Sequence, residues 1–243
     1  MPETYKPRDV DLEFTRFRTT TDAALVVNGE VDGPTRVGAQ AKLRWHFAGP
    51  LYVQGYAGFA GSLPLGGLAF GKSPSRYQVG LVATVLPLDF GVQRSVVSLG
   101  DVGIGIPNRT GASWIVVGPG GYARARVTQT TAFQSHVGVG TSQDLGAFLT
   151  AGATFRLALL YSGTVDTDAG GSLDQTGLGT LLSAGAKVQF HLDTLFGLSS
   201  GFLPHAFVSG DYEGQRIRFA GKNTEERRPY DAWTALTGLG GRW

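Results

Sequence analysis

The sequence predicts an all-β chain folded as a single closed antiparallel transmembrane β-barrel of about 12 strands, with about 10 as the alternative count. Three observations predict it. Apolar and polar residues alternate with period two from end to end. The alternating runs reach about 12–15 residues, where strands of globular domains average about 5–6. The 243 residues include 37 glycines but only 16% charged residues, against about 25% charged in soluble domains. Mean hydropathy is near zero, and no window holds the ~18 uncharged apolar residues of a spanning helix.

The strands follow in chain order. Val10–Arg18 and Ala24–Val31 alternate weakly. Arg36–Phe47, RVGAQAKLRWHF, is clear: Val37, Ala39, Ala41, Leu43, Trp45 and Phe47 share one face, and Arg36, Gln40, Lys42, Arg44 and His46 the other. Leu51–Ala60 is weaker. Tyr77–Val85 is clear, Phe90–Leu99 weak, and Ala123–Val127 short, with Arg124 and Arg126 on its polar face. Thr130–Val139 is weak. Leu149–Tyr161 and Leu182–Leu192 are strong, His205–Arg218 weaker, and the last strand runs Trp233–Trp243. Tight-turn sequences separate several of them: DGPT after Val31, AGP after Phe47, PLD after Val85. Longer connections are read at Gly61–Ser75, Gly100–Ala112, Gly163–Gly179, Thr194–Pro204 and Ala220–Pro229. The whole chain, 1–243, reads as one barrel domain, with residues 1–8 as a flexible N-terminal segment.

Alternation alone leaves two architectures. In a soluble sandwich or barrel the apolar face is the core. In a membrane barrel the apolar face meets lipid and the polar face lines the lumen. The second fits better. Trp45, Phe47, Tyr77, Tyr161, Trp233 and Trp243 fall toward strand ends, as in the aromatic girdles at lipid–water boundaries. The polar face carries Gly, Thr, Gln and isolated charges, which suit a crowded interior better than bulk water. A closed barrel also pairs every backbone donor.

On these alternating segments, and on the terminal stretch DAWTALTGLGGRW with Trp233, Ala235, Leu239 and Trp243 in register, the chain resembles Gram-negative outer-membrane β-barrel proteins. Gly241 and Thr237 match that terminal pattern weakly, and Arg242 stands out in no way. The resemblance implies a porin-like cell-envelope protein in the outer membrane, exported with its signal peptide removed. It also implies outer-membrane lipid as a partner and recognition of the last strand by the barrel-assembly machinery. The N-terminus MPETYKPRDVDLEF shows no apolar h-region.

The lumen then holds Arg36, Lys42, Arg44, Arg124, Arg126, Arg156 and Lys187 against Asp11, Glu13, Glu30, Asp193, Asp211 and Glu213. Unpaired charge in a narrow interior is costly, so cross-strand pairing is expected. About 8 strands are filled by side chains and 16–18 leave a channel. The expected function is a narrow pore with slight anion preference, or a structural or assembly component. A barrel-embedded lipid hydrolase and a soluble ligand-binding module are the alternatives.

No residue pattern assigns catalysis. Gly66–Ser73 fits a phosphate-binding loop, but Pro74 and a strand follow where a helix is required. Gly197–Gly201 fits a nucleophile elbow at Ser199, without its strand–turn–helix setting. His46, His136 and His191 fall on interior faces, and His191 and Asp193 share one, a pairing able to orient a general base. Ser135 and His136 point to opposite faces. There is no Cys, and no metal-ligand spacing, so neither cofactor nor metal is expected. Net charge is +2, and the mixed-charge segment GKNTEERRPY reads as a solvated loop, so no nucleic acid is expected. Long connections at both ends would suit envelope partners.

Overall fold

The computed structural model describes residues 19–30, 33–74, 78–90, 95–98, 100–126, 128–166, 172–175, 179–198, 201–221 and 224–243. In chain order the strands are β1 Thr19–Glu30, β2 Arg36–Ala48, β3 Leu51–Ala60, β4 Leu63–Lys72 and β5 Gly80–Phe90. Then come β6, in two pieces (Ser95–Ser98 and Gly100–Pro107), β7 Gly111–Arg126, β8 Thr128–Asp144 and β9 Leu149–Asp166. β10 also has two pieces (Ser172–Gln175 and Gly179–His191), and one helical turn, α1 Leu192–Leu195, leads to β11 Leu203–Gly221 and β12 Thr224–Arg242.

Each strand pairs antiparallel with the next, and β1 pairs β12 from Thr20↔Arg242 to Glu30↔Ala232. The ring is therefore closed, with 12 strands and no free edge. No helix among the described residues is long and apolar enough to cross a membrane; the crossing elements are strands.

Strand heights differ. β3 and β4 have 10 residues each, whereas β11 and β12 have 19. At the end carrying β12's last residue, the wall is even. At the other end the β7–β9 and β11–β12 side stands taller. Gly49 makes the tight β2–β3 turn at φ +55°, a backbone state that a Cβ disfavours.

The polarity is inverted. Leu25, Val37, Leu43, Phe59, Leu81, Ile104, Val117, Phe155 and Leu239 all point outward and are exposed, whereas Asp22, His136, Gln189, His205 and Arg242 are buried inside. In water this apolar exterior would be a single large adhesive surface; against acyl chains it is the solvated face.

Several expected boundaries move. Gly61–Ser75 is not a connection but contains β4, where LPLGGLAFGK places Leu68 and Phe70 outward and small residues between them. Gly100–Ala112 holds most of β6 and the start of β7. Phe90–Leu99 is not one strand: Phe90 ends β5 and Ser95–Ser98 opens β6. Ala123–Arg126 is the far end of a 16-residue strand, and Val127 lies outside the described residues. Ala220–Pro229 is no long connection, because β11 reaches Gly221 and β12 starts at Thr224, so most of GKNTEERRPY is strand. Val10–Arg18, Asp11, Glu13 and Tyr77 lie outside the described residues.

Candidate functional site

The interior is layered. Nearest the terminal end lies a floor. The Arg242 Nη2 sits 3.2 Å from His191 Nδ1, His191 Nε2 2.9 Å from Thr150 Oγ1, and Thr150 donates to Asp144 Oδ1 at 2.7 Å. The direction of this chain is set by its ends. Arg242 only donates, so Nδ1 accepts and Nε2 carries the hydrogen; Asp144 only accepts. His191 is thus a neutral imidazole with both nitrogens used. His46 packs edge-on against Tyr52, with centroids 5.8 Å apart.

Asp193 is buried here as well, but in α1, not on a strand face with His191 as the spacing suggested. Arg242, unremarkable in sequence, is among the largest fully buried side chains.

Above the floor is a cavity of about 560 Å³ lined by Asp22, Lys42, Arg44, Asp101, Arg156, Lys187 and Asp211, with Tyr52, Tyr56, Trp114 and Phe207 between them. Arg44 donates from Nε to Gln54 Oε1 at 2.9 Å and stacks 5.0 Å over the Tyr52 ring. Lys187 Nζ lies 4.6 Å from the Phe207 ring centre.

Two carboxylates organise this layer, and they do so in the same way. Asp101 on β6 reaches across Gly118 on β7 to His136 on β8 (2.6 Å to Nε2) and to Arg156 on β9 (2.9 Å). Asp22 on β1 reaches across Gly240 on β12 to His205 on β11 (2.8 Å to Nε2) and to Lys187 on β10 (3.6 Å). Each cluster is Asp, Gly, His and cation on four consecutive strands, and the two cations end on the adjacent strands β9 and β10. The glycines are required by space. A Cβ on Gly240 would stand 2.6 Å from His205 Nε2 and on top of Asp22, and one on Gly118 would stand 2.9 Å from Asp101 Oδ1. Gly185 gives Asp211 its room in the same manner.

Farther from the terminal end lies a collar of buried, inward-pointing side chains. Val26, Ala60, Ala158, Leu160 and Leu181 point inward with Gln134, Gln215 and Glu213, and Ala158 and Leu160 are 0% exposed. Register joins them in three separate lines: Ala158↔Leu181↔Gln215, Leu160↔Gln134 and Val26↔Gly38↔Ala60. Beyond it, Arg36 and Glu30 pair at 3.6 Å. Arg124 and Arg126 lie on β7 in a stretch whose side chains are outside the description.

Of the residues expected in the lumen, Lys42, Arg44, Arg156, Lys187 and Asp211 meet around the cavity. Glu213 joins the collar, Arg36 and Glu30 the rim, and Asp193 the floor. Asp22, Asp101 and His205 were not in the expected set. Asp22 precedes Ala24 and Val26 at the same parity, a signal that starting the strand at Ala24 missed. Asp101 fell in a presumed connection.

On the outside, Trp45, Phe47 and Trp243 are exposed near the terminal end, joined by Phe148, Phe190 and Phe202, whose ring lies 5.9 Å from Trp243. The apolar TLFGLSSGFLP segment belongs to this tier through Leu195, Phe196 and Leu198; Ser199 lies outside the described residues. Tyr161 and Trp233 face outward farther up, Trp233 lying flat over Gly29. Trp233 and Trp243 are ten residues apart, about 34 Å along a strand, or about 25 Å of membrane at the usual tilt. Trp114, by contrast, points inward over Gly140. Above Trp233, Arg216 grips both oxygens of Asp231 at 3.0 Å, and this guanidinium holds the exposed carboxyl below the usual carboxylate range.

The Gly66–Ser73 motif lies along β4, with no helix to receive phosphate. Among the described residues no group of three or more His, Cys, Asp and Glu is placed to hold a metal.

No protein-family model matches the sequence, and no curated protein matches it. Among solved structures, the outer-membrane protease OmpT from Escherichia coli is similar at 10% identity and TM-score 0.45, covering 96% of this chain and 99% of that one. Neisserial surface protein A follows at 11% identity and TM-score 0.33, with 94% and 98% covered. Ail, the attachment invasion locus protein of Yersinia pestis, follows at 13% and 0.21, with 93% and 96% covered. Likeness at this level concerns the barrel architecture alone. That architecture, closed, antiparallel and apolar outside, is the outer-membrane β-barrel fold.

Proposed function

We propose that this chain resides in the outer membrane of a Gram-negative bacterium as a narrow, normally closed pore for small polar solutes. The observation that carries the reading is the charged cavity of about 560 Å³ inside the barrel, above the floor. A barrel that served only as a plug could fill this space with side chains, as barrels of about 8 strands do. Described charges of both signs meet in it and pair, which supports weak ion selectivity. The taller strands at the opposite end support the terminal end's facing the periplasm, with the tall β11–β12 hairpin outside. In this orientation the last strand, Asp231–Trp243, is offered to the assembly machinery and the apolar wall to lipid.

The fully buried collar favours a second reading, a sealed structural barrel. The hydrolase reading lacks support at the two carboxylate-bound imidazoles: the Nδ1 atoms of His136 and His205 have no hydroxyl partner, whereas a Ser–His–acid site needs one there. Recording single molecules in planar bilayers separates pore from plug. Brief, low-conductance openings with weak selectivity are expected. Silence at every voltage and salt concentration would contradict the pore and leave the sealed barrel.

A further inference from the structure

We propose that the cavity above the floor binds a small organic anion, a carboxylate or phosphate head on an apolar body, with Arg44 and Lys42 taking the head. The inference rests on the pore reading for where such a solute travels, and it names the solute's class. Binding is read without conduction, so silence in a bilayer and failure to bind are separate results.

The sequence sorts the charges along the wall. No Asp or Glu occurs between Asp32 and Asp89, whereas Arg36, Lys42, Arg44 and Lys72 fall in that run. The run supplies β2, β3, β4 and β5 as far as Leu88, so one continuous arc of the ring brings cations without carboxylates. Around the cavity, Lys42, Arg44, Lys72, Arg156 and Lys187 stand against three aspartates.

The aspartates do not offset the charge on β2. Asp101 binds His136 and Arg156. Asp211 lies over Gly185 on β10, where a Cβ would meet its Oδ1 and, at 3.0 Å, the Thr154 Oγ1 of β9, so it leans away from β2. Asp22 is shared: it pairs in register with Lys42 and binds Lys187 at 3.6 Å and His205 at 2.8 Å. One carboxylate cannot balance two lysines. Arg44, two residues on from Lys42, has Thr20 and Gln54 as register partners, and neither carries a charge. This corner of the lumen is therefore net positive within a low-dielectric wall, a setting that concentrates anions.

The geometry suits a head group with a body. Stacking on Tyr52 and donation from Nε to Gln54 fix the plane of the Arg44 guanidinium. A fixed planar fork takes a carboxylate or phosphate through two parallel bonds. Tyr56, the register partner of Lys42, adds aromatic wall together with Trp114 and Phe207. The volume of about 560 Å³ falls within the ~300–1,000 Å³ of small-molecule sites. Arg156 and Lys187 are 37% and 27% exposed, so open space lies beside them. Gln189 on β10 lines the same cavity and is 1% exposed, with neither Oε1 nor Nε2 partnered among the described residues. Buried amides are ordinarily paired, and a solute oxygen would supply the acceptor that this Nε2 lacks.

Trp114 in the cavity wall is the reporter, in the variant that keeps it as sole tryptophan (Trp45→Phe, Trp233→Phe, Trp243→Phe). The probes are similar in size and differ in charge: benzoate and phenyl phosphate are anions, benzamide is neutral, and benzylamine is a cation. Each is titrated into the folded protein in detergent micelles, with free tryptophan in the same micelles as the reference. Either anion is expected to change Trp114 emission saturably at about millimolar concentration, the strength open to so small a ligand. Benzamide and benzylamine are expected to bind at least about tenfold more weakly. Arg44→Gln is expected to weaken the anion about tenfold or more, as loss of a charge-assisted hydrogen bond does. Arg216→Gln, which removes a cation outside the cavity, is expected to leave binding unchanged. No saturable response to either anion, equal binding of benzamide or benzylamine, full affinity in Arg44→Gln, or an equal loss in Arg216→Gln overturns the proposal. Folding is checked by heat-modifiable migration. If Arg44→Gln does not fold, Lys42→Gln must weaken the anion, and full affinity there overturns the proposal equally.

Discussion

At the residue scale the lumen depends on what three glycines leave out. Gly118, Gly185 and Gly240 each lie under a carboxylate that crosses their strand, and the alternating pattern shows them only as small residues on a polar face. Gly240→Ala should break the Asp22–His205 bond and cost about 1–3 kcal/mol in urea unfolding from micelles, the range for a buried polar pair left unsatisfied. Gly152→Ala is the control. Its Cβ would meet only Thr141 O, at 3.4 Å, so its effect should stay within about 0.5 kcal/mol. Equal losses at both positions would contradict the packing described. Much of the residue-level chemistry was legible: period two assigns Lys42, Arg44, Arg156 and Lys187 to one side of the wall. Their partners were not, because Asp22 and Asp101 act two and three strands away, and pairing at that distance leaves no local trace in a sequence.

At the element scale the wall is uneven, and the sequence marks where. Pro87 in β5 and Pro119 in β7 cannot donate to the ladder, and the β5–β6–β7 registers shift around Gly100, whose φ is +135°. Between β4 and β5 only six register pairs join the described residues, against 19 between β11 and β12. Amide hydrogen exchange in micelles should therefore be fastest in β5 and β6 and slowest in the β11–β12 ladder. Uniform protection around the ring would contradict this. The same irregularity explains the missed strand. Pro64 and the Gly66-Gly67 pair read as loop chemistry, which is sound for a globular sheet. In a lumen wall, glycine on the crowded face is a packing choice, and Leu68 and Phe70 facing lipid are enough to hold β4 in place.

At the scale of the whole molecule the account rests on which side of the wall is oily. Composition and alternation gave the choice between a soluble core and an inverted barrel; the exposed aliphatic belt, the two aromatic tiers and the buried Asp–His–cation clusters fall on the inverted side. The four tryptophans make this directly measurable, since Trp45 faces outward while Trp114 points into the lumen. One variant keeps Trp45 alone (Trp114→Phe, Trp233→Phe, Trp243→Phe) and a second keeps Trp114 alone (Trp45→Phe, Trp233→Phe, Trp243→Phe). Both are reconstituted in bilayers of lipid brominated along the acyl chains, which quench only the indoles they touch. The Trp45 fluorescence should be largely lost and the Trp114 fluorescence largely kept; strong quenching of Trp114 with Trp45 spared would show the wall to be turned the other way.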